Sequence, residues 1–416
     1  MTLYLLSVLL DIYQFFGQRD YAHPNASYCT TITSITSITN QPTSRPIMVQ
    51  LYTTLVVVIL LGVSNAQNGT SNSPYQLVKN YTSENFFQSF DFFSGPDPSN
   101  SFVTYLDLDT ANDAGLAGYI SSSALNDSYA VFLGTDFKNV TPDGRPSVRV
   151  QGRDWFNHSL IVADIMHMPS GCGTWPAFWL LGQGAPWPRR GEVDIIEGIN
   201  NNSVNTLALH SDAGVSVANL TSLRHGNHSA MTGTFTSLDC DVGSSNVGCA
   251  ATGSPESYGA DFNAQGGRVV VTEISADVIQ IWSFERDNIP QDLSEGLPNP
   301  HHEANGSSWG APEVKFVNNG NDTFDDHFIN LQPIFNTAFC GSWVEAFWHT
   351  SECSSLAPTC ESYVANNPAA FVDAYWAIGG LQVYEPNGNY TSGYSGPELG
   401  RLLNHRRHHP RTVKGY

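Results

Sequence analysis

Apolar positions in this chain recur with the period of strands. Ser159 to Met166 reads SLIVADIM, a short apolar run bounded by turn-type residues, and Thr206 to His210 reads TLALH, an alternating pattern. Ser147 to Val150 is one of several short strands in a stretch from Tyr75 to Val150 that Gly, Pro and Asn repeatedly interrupt. Gly191 to Gly198 reads GEVDIIEG, with strand propensity in Val193, Ile195 and Ile196. Helix-type periodicity is scarce, and neither an internal repeat nor a Ser/Thr/Pro linker divides the region. The pattern therefore predicts one all-β domain over residues 75–386. Ser211 to Arg268, rich in Gly, Ser, Asn and Cys, is expected to form surface loops around a cleft.

Composition narrows the partners. A chain of 416 residues with 41% hydrophobic content can bury a sizeable core. Its formal charge of −20 argues against nucleic acid, whose phosphates call for a basic surface. A neutral polymer is compatible with that surface.

The chemistry concentrates in GEVDIIEG. Side chains alternate along a strand, so Glu192 and Asp194 share a face while strict alternation turns Glu197 away. One extra residue, a β-bulge at Ile195 or Ile196, returns Glu197 to the acidic face. Three acids on one face repel one another, which stability alone does not favour. Retaining glycoside cleavage does call for such a group, because two carboxyls about 5–5.5 Å apart must serve as nucleophile and proton donor. Over a strand rising about 3.3 Å per residue, the Cα atoms of Glu192 and Glu197 stand roughly 13 Å apart, so their long side chains must lean together. A solvated strand with scattered acids has the same spacing, and the motif alone does not choose between the two.

The flanking sequence does. Gly171 to Asn200, GCGTWPAFWLLGQGAPWPRRGEVDIIEGIN, resembles glycoside hydrolase family 16, and within it the fungal laminarinase-like endo-1,3(4)-β-glucanases. HMPSGCGTWP (His167 to Pro176), TLALH, SYGADFNAQGG (Ser257 to Gly267), FCGSW (Phe339 to Trp343) and NNPAAFVDAYWAIGGLQVYE (Asn366 to Glu385) extend the resemblance. It implies a concanavalin A-like jelly roll, a β-sandwich with an open concave cleft, and endo-cleavage of β-1,3-linked glucan, including branched and mixed-linkage forms. By resemblance Glu192 is the nucleophile, Glu197 the acid/base, Asp194 the auxiliary carboxylate, and His210 a supporting group beside Asp194. Trp179, Trp187 and Trp343 are the expected sugar platforms, with Trp175 assigned to packing; Arg149 is expected either to reach a sugar hydroxyl or to form a surface ion pair. A transglycosylase would share every catalytic residue, and a non-catalytic glucan-binding protein is the reading from another class. No cofactor is expected; a structural calcium ion is possible in principle, but the sequence does not indicate one. The expected partner of a monomer is β-glucan.

Processing signals point to secretion. Met48 opens MVQLYTTLVVVILLGVSNAQ, whose apolar run Leu55 to Val63 precedes a small-residue site at Ala66. The expected layout is an upstream extension or gene-model artefact over 1–47, a signal peptide over 48–66 and a disordered basic tail over 387–416, giving a secreted or wall-associated protein without a membrane anchor. Six cysteines follow Ala66, an even number consistent with oxidation. Short loops favour Cys240–Cys249 and Cys353–Cys360, leaving Cys172–Cys340, although spacing alone does not prove connectivity. Sequons at Asn68, Asn80, Asn126, Asn139, Asn157, Asn201, Asn219, Asn227, Asn305, Asn321 and Asn389 point the same way.

Overall fold

The computed structural model describes residues 73–388, apart from 123–127, 221–223, 226–227, 230, 246, 302–308 and 321. The expected extension and signal peptide lie outside the described residues, as does the basic tail from residue 389. Asn387 belongs to the folded body: its backbone N–H donates to Pro74 O at 2.8 Å and its amide to Ser73 O at 3.0 Å.

Two eight-stranded antiparallel sheets make the framework. The front sheet runs Thr234–Ser237, Cys249–Thr252, Thr206–His210, Glu192–Glu197, Thr174–Gly182, Leu331–Phe339, Arg149–Gly152 and Phe90–Phe92. The back sheet runs Val314–Val317, Val278–Glu285, Arg268–Ile274, Ser159–His167, Trp376–Pro386, Ser128–Leu133 and Ala117–Ser122. Tyr75–Tyr81 adds to the later half of Trp376–Pro386. The sheets pack as a β-sandwich. Phe178, Leu180, Val193, Leu207 and Phe335 of the front meet Ile161, Ile165, Ile281, Trp376 and Leu381 of the back in one buried cluster. Phe335 packs edge-on against Trp376 across the interface, with ring centroids 5.5 Å apart.

The apolar run in SLIVADIM, broken only by Asp164, has its cause in a second layer. Ile161, Ala163 and Ile165 face the inter-sheet core, while Leu160 and Val162 turn outward into a cluster with Trp282, Phe284 and Trp309. A strand buried on both faces has no solvent side on which polar residues are favoured. The single Ser147 to Val150 strand expected from the sequence is two pieces, Arg145–Ser147 and Arg149–Gly152.

Ser211 to Arg268 is more regular than its composition suggests. It supplies Thr234–Ser237 and Cys249–Thr252 to the front sheet and a short helix, Gly259–Ala264. Small residues such as Ala250 and Ala251 fill Cys249–Thr252, so that strand lacks the bulky β-branched signature, while Thr234–Ser237, TFTS, is too short to stand out.

The disulfides also differ from expectation. Cys240–Cys249 forms, but the others are Cys172–Cys353 and Cys340–Cys360. Cys360 opens the helix Cys360–Asn366 and Cys340 precedes the helix Gly341–Trp348, so packing of the two helices brings these sulfurs together. Cys353, between them, turns instead toward Cys172. Proximity in sequence loses to the path of a helical segment whose apolar side, including Val344, Trp348 and Val364, forms its own buried cluster.

Candidate active site

The acidic strand Glu192–Glu197 pairs with Thr174–Gly182 through partners Glu192–Leu181, Asp194–Trp179 and Glu197–Ala177. The register breaks between Asp194 and Ile196, so Ile195 is the extra residue of a bulge. Val193, Ile195 and Ile196 are all buried, and the three acids emerge together on the outer face of the front sheet. Gly191 makes the entry to this strand possible. At φ +76° a Cβ would stand 2.5 Å from Phe328 Cδ1 and 2.6 Å from His327 O, so a side chain is excluded there.

Two tryptophans hold the outer acids. Trp187 comes from the loop between the two strands and donates its Nε1–H to Glu192 Oε2 at 2.9 Å. Trp175, on the neighbouring strand, donates to Glu197 Oε1 at 2.9 Å. Trp175 therefore is not simply a packing residue, and its ring meets Trp343 edge-on at 5.7 Å. Parity carries this signal: Trp175, Ala177 and Trp179 alternate onto the face that bears the acids. Trp187 is 51% exposed, open to a ligand on its outer side.

Asp194 lies between the glutamates and is 2% exposed. His210 Nε2 approaches its Oδ2 at 3.1 Å, from a strand whose Cα partner across the ladder is Glu192. The contact is electrostatic: Asp194 Oδ2 and His210 Nδ1 have no aligned hydrogen-bond partner among the described residues. Glu192, Asp194 and His210 also bring ligating atoms within 4.8 Å of one another, close enough to hold a cation. A second such group, Cys340, Glu345 and Cys360, has its sulfurs committed to a disulfide.

All three carboxyls are pushed up to about 8. Burial is the main cause in each case, and the charge of Asp194 adds to it for both glutamates. His210 and the indole donors pull the glutamates the other way. The group titrates as a coupled unit that retains a proton near neutrality.

Arg149 lies on the same side. Glu197, Ala177, Asn336 and Arg149 succeed one another across the front sheet as strand partners. The guanidinium is 4.8 Å from the Phe93 ring centre and 5.0 Å from that of Trp179. Arg149 is 7% exposed, which rules out the surface ion pair. Trp179 Nε1 donates to Asn336 Oδ1 at 2.7 Å, locking its ring beside Arg149. The sheet thus combines flat aromatic surfaces, a buried cation and three acids. That combination suits a neutral, hydroxyl-rich ligand and acid/base chemistry upon it.

Known proteins share this architecture. The chain matches the model of the XgeA-like, catalytic GH16 domain over residues 90–384. It is 41% identical to an endo-1,3(4)-β-glucanase of Arthroderma benhamiae over 323 residues, 76% of this chain and 65% of that protein. A probable glycosidase of Schizosaccharomyces pombe is 37% identical over 75% of this chain and 69% of its own length. Relatives are often longer: the chain spans 50% of a probable endo-1,3(4)-β-glucanase of Aspergillus clavatus. Among solved structures, laminarinase 16A of Phanerochaete chrysosporium, with β-glucans in donor and acceptor sites, superposes with a TM-score of 0.65. It is 34% identical, covering 75% of this chain and 99% of that one. An elongating family 16 β-1,3-glucosyltransferase gives the same TM-score and identity, covering 74% and 99%. These neighbours identify the sandwich as the expected jelly roll, and the chain belongs to glycoside hydrolase family 16 through its XgeA-like catalytic domain.

Proposed function

We propose that this protein is a secreted, retaining endo-glucanase that cuts β-1,3-linked glucan, including branched and mixed-linkage forms, through a catalytic domain over residues 75–386. The observation that carries the reading is the pair of glutamates returned to one face by the Ile195 bulge, each held by its own indole donor. Glu192, as carboxylate, attacks the anomeric carbon. Trp187 fixes one of its oxygens and favours the ionised form, leaving the other oxygen for attack. Glu197 enters protonated and gives its proton to the departing glycosidic oxygen. Because Trp175 occupies Oε1, that proton belongs on Oε2.

Formation of the glycosyl ester neutralises Glu192. Loss of a nearby negative charge lowers the pKa of Glu197, which then takes a proton from water as the ester is hydrolysed. Asp194, with His210 beside it, maintains the charge balance between the steps. Trp179, Trp187, Trp343 and Arg149 supply sugar contacts on the outer face, where a polymer can lie across the sheet without threading an end. The reaction so drawn calls for no metal or cofactor. Secretion accords with the three disulfides and with the exposed sequon residues Asn80, Asn139, Asn157, Asn201 and Asn219.

Incubation with laminarin, lichenan, a β-1,6-glucan and a β-1,4-glucan, with products sized over time, tests the proposal. Mid-length oligosaccharides should appear early from laminarin, and Glu192→Gln should lose this activity by several orders of magnitude while still binding oligosaccharide. Absence of new reducing ends from laminarin would refute hydrolysis. The similarity to a glucosyltransferase favours a second outcome, products longer than the starting chains, which would mean that a sugar hydroxyl replaces water in the second step.

A further inference from the structure

The bulge that aims Glu197 has a support outside the catalytic motif. Pairing of Glu192–Glu197 with Thr206–His210 covers only Glu192, Val193 and Asp194. Beyond Asp194 the strand lacks a ladder partner on that side, just where Ile195 disrupts the register with its other neighbour. The backbone there is buried, and buried N–H and C=O groups require partners. Asn205 supplies them. Its Oδ1 accepts from Glu197 N at 2.8 Å and its Nδ2 donates to Ile195 O at 2.8 Å, so one side-chain amide replaces the missing rung.

The amide is itself fixed. Asn205 is 3% exposed; its backbone N–H donates to Ser257 Oγ at 2.9 Å and its carbonyl accepts from Gly253 N at 2.8 Å. Ser257 Oγ donates onward to Ser254 O at 2.6 Å, and Ser254 N donates to buried Glu313 at 2.7 Å. The next residue after Ser257 closes the other side. Tyr258 packs over Gly198, where a Cβ would stand 2.7 Å from Cζ of its ring.

We propose that Asn205 is a positioning residue for Glu197, holding the bulge so that the carboxyl meets the glycosidic oxygen. The role rests on the acid/base assignment made above. An amide offers an acceptor and a donor in one planar fork at every working pH, which a carboxyl does only while protonated. An ionised Asp in its place would keep the contact to Glu197 N but set a negative oxygen against Ile195 O; Ala would leave both backbone groups unmatched.

A misplacement of about 1 Å costs roughly 10²-fold, and general acid catalysis contributes about 10²–10⁴-fold. Asn205→Ala and Asn205→Asp should therefore lower kcat on laminarin by about 100-fold with KM nearly unchanged. The leaving group separates aiming from general damage. From a dinitrophenyl β-laminaribioside the dinitrophenolate departs without a proton, leaving the laminaribiosyl ester on Glu192, so the first-step burst should fall less than about fivefold in the same variants. Should Asn205→Ala fail to fold, Asn205→Asp preserves the shape and carries the test. Laminarin turnover within threefold of the parent, or equal losses on both substrates, would overturn the role. A parent protein that cleaves neither substrate would instead overturn the functional reading, and this role with it.

Discussion

Asp194→Asn is the most direct probe of the acidic cluster, because it removes one charge at nearly constant shape. Ionised Asp194 pushes both Glu192 and Glu197 upward, behind the larger effect of burial. Facing atoms of Glu192 and Asp194 lie within 4.8 Å. Two unit charges at that separation repel by about 3.5 kcal/mol at an effective dielectric near 20. At about 1.36 kcal/mol per pKa unit, that corresponds to about 2.5 units before solvent screening. Solvent reaches both glutamates, and screening reduces the expected change to about 1 unit.

The sign follows from the charge. An anion disfavours ionisation of its neighbours, so its loss lowers both glutamate pKa values. The alkaline limb of kcat/KM, where Glu197 loses its proton against the charge of Asp194, should move down; on the acid limb Asp194 is itself largely protonated, and that limb should move less. On laminarin between pH 3 and 9, the alkaline limb should shift acidward by about 1 unit, and by less at 1 M salt. The height of the curve will also fall, but height does not discriminate between charge and geometry. An unmoved bell, or one displaced toward alkali, would refute the electrostatic role of Asp194.

Trp175→Phe should act in the opposite direction: without the Nε1–H donor, ionised Glu197 loses stabilisation and the alkaline limb should rise by about 0.5–1 unit, read from the same pH profile. Peptide mapping of unreduced protein should recover Cys172 joined to Cys353 and Cys340 joined to Cys360; a Cys353–Cys360 peptide would contradict the observed packing. Replacing Cys172 and Cys353 together by Ala should lower the unfolding free energy by several kcal/mol, below a chain-entropy ceiling of about 5 for a 181-residue separation, as measured by denaturant titration.

What the sequence discloses is whatever repeats with the period of its own structure. SLIVADIM, TLALH and GEVDIIEG all become strands, because alternation and β-branched residues report local burial directly. Cys172–Cys353 is not visible in this way. It depends on how the segment after Phe339 folds into helices and returns, and the nearest cysteine in sequence is no guide to that path. Thr234–Ser237 and Cys249–Thr252 are obscured for a related reason: beside a short disulfide loop four residues make each strand, and the small residues of the second leave little hydrophobic pattern.

The site divides along the same line. Glu192, Asp194 and Glu197 are close in sequence, and the parity conflict of Glu197 is one that a bulge resolves. Trp175 was within reach of the same reasoning, since its parity matches that of Trp179; treating an indole as packing overlooks that a half-buried N–H seeks an acceptor, and Glu197 is the acceptor it finds. Asn205 offers no comparable signal. It stands just before the TLALH strand among other asparagines, and its importance comes from the backbone groups that a bulge leaves unpaired. A bulge can bring a carboxyl to the correct face, but an unsupported bulge can also relax. The three acids therefore fit within one short motif, while the support that holds them in place is assembled from the residue before the neighbouring strand and from Ser257 and Tyr258 beyond.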